Sequence, residues 1–304
     1  MSQLKITFLG TSGSMPTPQR GSSSVVMRRG RKLIMFDCGE GTQRQMTRAH
    51  IGFQRTMKIL ISHMHGDHVL GLPGMLQSMS LLGREKPLHI YGPVGLVDYV
   101  KAFSESLGGP DFPVILYEIQ EQGMIYDSDF YNILAIKAIH RSTAWSYVFI
   151  EKPRPGRFYP DKARALGVPE GELWGRLQRG ESVTYNGETI HSDQVTGPIR
   201  PGRKIVYSGD TAPNPELVKV SRNADLLIHE ATFMEELEDR AEEDEHTTAA
   251  QAAKLAREAD VDKLVLTHIS SRYPDPEMVR NEAQEYFDNV IIAEDLMEID
   301  VSLK

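Results

Sequence analysis

Cysteine and tryptophan are scarce in this chain of 304 residues, which contains one cysteine and two tryptophans. A single cysteine, Cys38, cannot form an internal disulfide, which excludes the disulfide-stabilised scaffolds of small secreted proteins. We therefore expect a protein of the reducing cytoplasm. Long apolar runs are also missing, since no stretch approaches the ~18–20 residues of a membrane span. The remaining composition, 40% hydrophobic and 25% charged residues, is typical of a folded chain with a sizeable core.

Basic residues are outnumbered overall, giving a net charge of −8, but they are unevenly distributed. Residues 1–60 carry ten Lys and Arg against two Asp and Glu, and residues 150–205 carry ten against seven. Such segregation allows one face to attract a polyanion while another repels it. The acidic segment 235–245 has eight carboxylates and one arginine, and we interpret it as a solvated helical face.

Short apolar strands dominate the hydrophobic pattern, first in a run and later in alternation with helices. Strands are predicted at residues 5–9, 23–27, 32–36, 56–61, 114–119, 131–139, 145–150, 204–207, 224–228 and 263–267, and a strand that ends in a turn is predicted at 88–93. The Ala-rich segment 247–259 predicts a helix capped by Thr247 or Thr248. Residues 152–203 are rich in Pro, Gly, Arg and Lys and have no long apolar run, which suggests a surface insertion. The pattern favours an α/β or α+β chain with a mixed sheet.

A dense group of metal-binding side chains follows the predicted strand at 56–61. The sequence His63-Met64-His65-Gly66-Asp67-His68 places three imidazoles and one carboxylate within six residues. Neutral imidazoles and ionised carboxylates are ligands that Zn²⁺ prefers. Two histidines separated by one residue on an extended loop can face one ion, while Asp67 and His68 point onward to a second.

Three further candidate ligands each follow an apolar strand, where functional side chains tend to gather. They are His140, Asp210 and His268. Taken singly, each could equally be a surface or capping residue. Together with the histidine cluster they supply seven ligands, enough for two tetrahedral metal ions that share one carboxylate. We therefore predict a dinuclear site.

The motif His-x-His-x-Asp-His, with the three later ligands, resembles the metallo-β-lactamase superfamily. Within that superfamily the chain resembles the short form of the ribonuclease Z family, the tRNA 3′-processing endonucleases. Four further stretches carry the resemblance, at residues 36–43, 65–74, 229–233 and 267–273. The stretch His229-Glu230-Ala231-Thr232, followed by His246, is more specific to this family than the shared metal motif.

The resemblance implies which residues hold two Zn²⁺ ions and how the chain is organised. By that resemblance the first ion is bound by His63, His65 and His140, the second by Asp67, His68 and His268, and both by a bridging Asp210. The implied fold is a four-layer αβ/βα sandwich, with one catalytic domain over residues 1–304 and an inserted tRNA-binding arm at 152–203. The arm's usual Gly-Pro signature reads Gly171-Glu172 here, and the loop 16–21 departs from the family's Pro-x-Lys-x-Arg-Asn form.

The resemblance further implies a homodimer, in which the arm of one subunit helps to hold precursor tRNA for the other. The implied reaction is cleavage of precursor tRNA after the discriminator nucleotide, which removes the 3′ trailer and leaves a 3′-hydroxyl. Two other functions are compatible with the metal motif. One is hydrolysis of a small phosphodiester or lactone, and the other is RNA binding by an inactive subunit. The basic insertion argues against the first, and the intact ligand set against the second.

Catalytic roles beyond metal binding are predicted for three residues. Asp67 can orient the attacking water, and Glu230 with His246 can supply the proton that the departing 3′-oxygen needs, because a bonded carboxylate raises the pKa of an imidazole. The alternative for His246 is a helix cap. Asp37 is predicted to orient a ligand histidine, as imidazoles at metal sites usually require. Cys38 is expected to be a small buried side chain.

Overall fold

Short strands form two seven-stranded sheets and one two-stranded sheet, in which the tenth strand pairs with the eleventh. The computed structural model describes residues 3–303, so the two ends of the predicted domain 1–304 lie outside the described residues. The strands, in chain order, are β1 Leu4–Gly10, β2 Ser24–Arg29, β3 Lys32–Phe36, β4 Thr56–Leu60, β5 Leu88–Gly92, β6 Val114–Glu118, β7 Gly123–Asp127, β8 Tyr131–Lys137, β9 Trp145–Glu151, β10 Val183–Tyr185, β11 Glu188–Ile190, β12 Lys204–Tyr207, β13 Leu226–Glu230, β14 Leu264–Thr267, β15 Val290–Ile292 and β16 Glu298–Asp300.

Each seven-stranded sheet combines antiparallel and parallel strands. The first has the order β16-β1-β2-β3-β4-β5-β6, in which β1 to β3 pair antiparallel and β3 to β6 pair parallel. The second has the order β15-β14-β13-β12-β9-β8-β7, in which β12 to β15 pair parallel. Parallel strands are covered on both faces, which explains why these segments are apolar without alternation. The predicted mixed α/β class is confirmed.

Helices cover the outer faces of both large sheets. In chain order the α-helices of the described residues are α1 Thr42–Arg48, α2 Gly66–Val69, α3 Gly71–Leu81, α4 Leu96–Leu107, α5 Pro160–Ala165, α6 Glu172–Gln178, α7 Ser192–Val195, α8 Pro215–Ser221, α9 Glu238–Asp244, α10 Ala249–Glu258 and α11 Pro276–Gln284. Of these, α5, α6 and α7 lie in the insertion and pack on one another rather than on the large sheets. Helices α1, α3 and α4 bury their apolar side chains in a cluster with the first sheet. Helix α10 packs on β13 and β14 of the second. Among the described helices, none has both the length and the hydropathy needed to cross a membrane.

The inner faces of the two sheets meet through aromatic side chains. Phe36 of β3 stacks on Tyr207 of β12 with ring centroids 5.1 Å apart. The hydroxyl of Tyr147, on β9, donates to the carbonyl of Ile61 at 2.6 Å. The succession of helix, sheet, sheet and helix confirms the predicted four-layer sandwich.

The helix predicted at 247–259 begins with a capping box. Thr248 Oγ1 accepts a hydrogen bond from the Gln251 amide at 3.1 Å, and Gln251 Oε1 accepts from the Thr248 amide at 3.0 Å. Of the two candidate caps, Thr248 therefore has this role. Thr247 instead donates its hydroxyl proton to the carbonyl of Thr211, which links the helix start to the loop after β12.

The chain divides into two compact units. The larger extends to Asp127 and continues over Asn132–Phe149 and Lys204–Ser302, and the smaller consists mainly of Ser128–Tyr131 and Ile150–Arg203. The smaller unit buries its own apolar side chains, namely Ala163, Val168, Trp174, Leu177, Val183, Ile190 and Val195. A core here was not indicated by the sequence, because these residues are spaced singly rather than in runs.

The two ends of the smaller unit's long segment are joined. Arg203 donates to the Glu151 carboxylate at 2.7 Å, and both side chains are only 4% exposed. Further along, the backbones of Arg154 and Arg200 pair in an antiparallel bridge with N–O distances of 2.8 and 2.9 Å. The first and last residues of this segment, 151–154 and 200–203, therefore lie side by side.

Candidate metal centre

The predicted ligands lie where strands of the two sheets end. His63 lies three residues after β4. His65 directly precedes the short helix α2, and His68 lies within that helix. Asp210 follows β12, and His268 directly follows β14. Because the strands of each sheet end at a common edge, residues far apart in sequence converge there.

Three histidines form the first group of converging ligand atoms. His65 Nδ1 lies 2.9 Å from His63 Nε2 and 3.3 Å from His140 Nε2. The outer nitrogen of His140, Nδ1, donates to the backbone carbonyl of Glu245 at 3.2 Å, which fixes the ring orientation. These are the three residues that the family resemblance assigns to the first metal.

The second group comprises Asp67, His68 and His268. His268 Nε2 lies 3.3 Å from His68 Nε2 and 3.2 Å from Asp67 Oδ2. His68 Nε2 lies 3.4 Å from the same Asp67 oxygen. The backbone of His268 has a φ of 57°, an uncommon conformation for a residue with a side chain, and such outliers concentrate at functional sites.

Asp210 lies between the two groups. Its Oδ2 atom is 3.7 Å from His63 Nε2, 3.4 Å from His68 Nε2 and 3.3 Å from His268 Nε2. Its other oxygen, Oδ1, is buried and has no hydrogen-bond partner among the described residues. A buried carboxylate oxygen without a partner is costly unless a cation binds it.

The donor set fits divalent metal ions. Ligand atoms bound at ~2.0–2.1 Å around a tetrahedral ion lie ~3.3 Å apart, close to the separations within each group. Burial, together with the neighbouring His68, lowers the pKa of His63 well below its usual value, which keeps this imidazole in the neutral form that binds metals. Burial opposes charge at Asp210 as well, but the adjacent His268 and His68 hold its pKa well below the usual range.

Asp37 supports the second group from behind. It is fully buried, and its Oδ2 atom accepts hydrogen bonds from His68 Nδ1 at 2.7 Å, from the Ser62 hydroxyl at 2.8 Å and from the Tyr207 hydroxyl at 2.6 Å. Its Oδ1 atom accepts from the Ser62 amide at 2.6 Å. Although burial lowers the pKa of His68, the Asp210 and Asp37 carboxylates raise it well above normal. The orienting role proposed for Asp37 has this geometric basis.

The glycine-rich segment after β3 allows the loops to approach closely. A Cβ atom on Gly39 would lie 2.2 Å from the backbone carbonyl oxygen of Asp67, a distance that no side chain permits. Cys38, next to it, is buried, and burial raises the pKa of its thiol to about 12. An apolar, protonated thiol agrees with the expectation of a small buried side chain.

Glu230 and His246 form a pair beside the ligand groups. His246 Nδ1 lies 2.8 Å from Glu230 Oε1, and Glu230 is 1% exposed. Burial lowers the pKa of His246, but the Glu230 carboxylate outweighs it and raises the pKa to about 9. His246 precedes the capping residue Thr248, so it does not cap α10 itself. Its ring nitrogen also lies within reach of Asp210 and His268, a grouping that the sequence does not indicate.

The two ligand groups open into a cavity of about 520 Å³. Its walls include predicted site residues and others that sequence reasoning did not identify, namely Ser14, Arg141, Thr232, Arg240, Asp244, Ser270 and Arg272. The Ser14 amide donates to Asp67 Oδ2 at 2.9 Å, and Ser14 has a φ of 58°. Asp244 belongs to the acidic segment interpreted above as a solvated face. That interpretation does not hold for Asp244, since it lies in the cavity wall against two arginines.

Comparison with known proteins gives matches over the whole chain. The family description "Beta-lactamase superfamily domain" matches residues 181–269, and "Anti-Pycsar protein Apyc1" matches residues 4–108. The chain is 47% identical to a ribonuclease Z of Methanosarcina acetivorans over 303 residues, 98% of each chain. It is 43% identical to a ribonuclease Z of Myxococcus xanthus over 100% of each chain.

Among solved structures, the fold is similar to that of human tRNase Z, short form. The TM-score is 0.73 at 30% sequence identity, and the match covers 98% of this chain and 100% of the human one. The sequence relatives and this structure therefore match nearly the full length of the chain.

Proposed function

Since the chain belongs to the ribonuclease Z family, with the metallo-β-lactamase fold, we propose that it is a zinc-dependent endoribonuclease that cleaves precursor tRNA after the discriminator nucleotide. The products are a tRNA with a 3′-hydroxyl and a free trailer. The observation that carries this proposal is the convergence of seven histidine and aspartate side chains, in two adjoining groups, beside a cavity whose wall includes His246, which is bonded to the buried Glu230.

We assign His63, His65 and His140 to one metal ion, Asp67, His68 and His268 to the other, and Asp210 to both. Histidine nitrogens with few carboxylates favour zinc, although manganese or iron can occupy sites of this kind when zinc is scarce. Zinc bound there supplies Lewis acidity, which polarises the phosphodiester and makes water a nucleophile near neutral pH.

Asp67 is proposed to orient the attacking water. Its side chain is 12% exposed and lines the cavity, whereas that of Asp210 is 4% exposed. The Ser14 amide already donates a hydrogen bond to one oxygen of the Asp67 carboxylate. The fixed carboxylate can accept a hydrogen bond from water and so restrict its direction of approach to phosphorus.

His246 is proposed to protonate the leaving 3′-oxygen. In its protonated form, Nδ1–H donates to Glu230, which leaves Nε2–H as the proton that can be given to the departing oxygen. After the transfer His246 is neutral and regains a proton from solvent. Glu230 is held for this task by the Thr211 amide at 2.8 Å and the Thr232 hydroxyl at 2.6 Å.

The insertion 152–203 is proposed to bind the body of the tRNA. It contains nine of the ten basic residues counted in 150–205, and it folds as a unit with its own core. A small substrate gives no reason for such an arm. We further propose that the protein is a homodimer of the cytoplasm, in which the arm of one subunit holds the tRNA processed by the other.

The decisive experiment combines metal analysis with cleavage of a labelled precursor tRNA. We expect about two zinc ions per chain and a single cut that leaves a 3′-hydroxyl after the discriminator nucleotide. Hydrolysis of a nitrophenyl phosphodiester without tRNA cleavage would instead support a small-molecule hydrolase. Absence of both activities in metal-loaded protein would support an inactive RNA-binding subunit.

A further inference from the structure

The cavity wall contains three arginines that belong to no metal group. Arg141 directly follows His140, Arg240 lies on α9, and Arg272 lies after β14 with its guanidinium over the Phe233 ring at 5.7 Å. Outside the metal groups, Asp244 is the one carboxylate among the described residues of the cavity wall, and it contacts Arg141 and Arg240. This part of the wall therefore has more guanidinium groups than carboxylates, and the three arginines are exposed.

Asp244 is held between two of these arginines. Its Oδ1 atom accepts from Arg141 Nη2 at 2.9 Å, and its Oδ2 atom accepts from Arg240 Nε. The side chain of Asp244 is 21% exposed, whereas those of Arg141 and Arg240 are 57% and 55% exposed. Both oxygens of one carboxylate are thus bound by two guanidiniums that still face the cavity.

This arrangement imitates the binding of a phosphate. Guanidinium groups recognise the paired oxygens of carboxylates and of phosphates with the same planar set of donors. A ribonuclease substrate brings a phosphate on each side of the one that is cut. An RNA phosphate entering here can take the contacts that Asp244 makes in the free protein.

We propose that Arg141 and Arg240 form a subsite for a phosphate next to the scissile one, and that Asp244 occupies this subsite until RNA binds. The inference rests on the proposed function. We assign this phosphate to the 5′ side of the cut. The reason is that Asp244 lies on the same turn as His246, and His246 is proposed to protonate the 3′-oxygen that leaves on the 5′ side. Asp244 thereby weakens RNA binding and favours release of the cleaved tRNA.

The first test replaces the competing carboxylate by its uncharged analogue. Asp244→Asn should lower the KM for precursor tRNA roughly three- to tenfold, because both arginines lose their internal partner. The matched control is Glu105→Gln, which removes a carboxylate paired with Lys101 on the remote helix α4 and should leave KM unchanged. A merely structural Asp244 predicts the opposite, an unchanged or raised KM.

The second variant acts in the other direction. Arg240→Gln should raise the KM for precursor tRNA roughly three- to tenfold. It should also reduce the slope of log affinity against log salt by about one, the loss expected for one phosphate contact. An unaltered salt slope would overturn the subsite.

Substrates with one neutral methylphosphonate linkage then locate the phosphate. With the wild-type protein, neutralising the linkage on the 5′ side of the discriminator nucleotide should raise KM, and Arg240→Gln should be insensitive to that change. Sensitivity at a trailer linkage instead would overturn the assignment. Wild-type protein that leaves precursor tRNA uncut would overturn the proposed function as well, whereas normal cleavage with unchanged KM in Asp244→Asn counts against the subsite alone.

Discussion

His246 Nδ1 lies 2.8 Å from Glu230 Oε1, and this contact joins two segments that are separated by 15 residues of chain. Glu230 ends β13, so the position of its carboxylate is set by the sheet. His246 lies on the turn before α10, where its backbone amide donates to the carbonyl of Ala241 at 2.8 Å. The contact with Glu230 consequently fixes the imidazole ring and the turn fixes the backbone, while His246 lines the cavity.

Substitution of His246 should separate proton donation from metal binding. General-acid assistance typically contributes ~10²–10⁴ in rate, so His246→Ala should lose about that much activity on precursor tRNA while both metals remain. A nitrophenyl phosphodiester, whose leaving group needs no proton, should be far less affected. Single-turnover rates on both substrates and metal content per chain measure this.

Two other results would assign His246 a different role. Equal slowing of both substrates would mean that His246 positions the phosphate rather than donates a proton. Loss of a metal ion would mean that its ring is itself a ligand, in the group that it forms with Asp210 and His268.

The metal assignment predicts coupled loss of metal and activity. His65→Ala removes a ligand from the first group and Asp210→Ala removes the shared carboxylate, so metal content should fall below about two ions per chain in both. Treatment with a chelator should abolish cleavage, and added zinc should restore it in the wild type. Full occupancy and full rate in either variant would contradict the assignment. His191→Ala is the control, because His191 lies in the smaller unit and bonds Ser182.

Asp37 should govern metal affinity through His68 without touching the metal. In Asp37→Asn an NH₂ group replaces one carboxylate oxygen. This group cannot accept the hydrogen bonds that His68, Ser62 or Tyr207 donate in the wild type, so at least one of these donors loses its acceptor. We expect a ~10–100-fold lower metal affinity and a loss of ~1–3 kcal/mol in unfolding free energy.

Competition with a chromogenic chelator and urea unfolding of the metal-free protein measure the two effects of Asp37→Asn. Asp225→Asn offers a matched control, since Asp225 accepts from the Lys204 amide at 2.7 Å in another part of the second sheet. It should leave metal affinity unchanged. Wild-type metal affinity in Asp37→Asn would exclude the orienting role.

Removal of the arm should abolish tRNA cleavage but preserve the chemistry of the centre. The structure favours replacing residues 155–199 with a short Gly-Ser turn, because Arg154 and Arg200 are already paired and the buried Glu151–Arg203 contact is retained. We expect kcat/KM for precursor tRNA to fall more than ~100-fold and its salt dependence to flatten. Nitrophenyl phosphodiester hydrolysis should stay near wild type. Equal loss of both activities would show that the arm is needed for folding.

The candidate ligands were accessible from the sequence because each lies within a recognisable local signal. His63, His65, Asp67 and His68 lie within six residues of one another, and His140, Asp210 and His268 each follow an apolar strand. The alternation of strands and helices likewise predicted the fold class, since hydrophobic periodicity is a local property of the chain. A mixed sheet and the helix at 247–259 follow from it, whereas the two-sheet sandwich was implied by the family resemblance.

The hydrogen-bond partners around the ligands required the tertiary structure. Asp37 reaches Tyr207 across 170 residues, Ser14 reaches Asp67 across 53, and nothing in the intervening sequence records either contact. Likewise Asp244 belongs to an acidic segment that the sequence alone assigns to solvent, and no local signal pairs it with Arg141. They meet because the loop after β8 and the end of α9 close the same cavity.

The sequence by itself determined the ligand types and the class of fold, because both depend on residues close together in the chain. Only the tertiary structure decided that Thr248 rather than Thr247 caps α10, that residues 152–203 have a core, and that Asp244 lies between two arginines. These features depend on contacts that side chains make in the folded chain, and the free energy of such contacts has no counterpart in local periodicity.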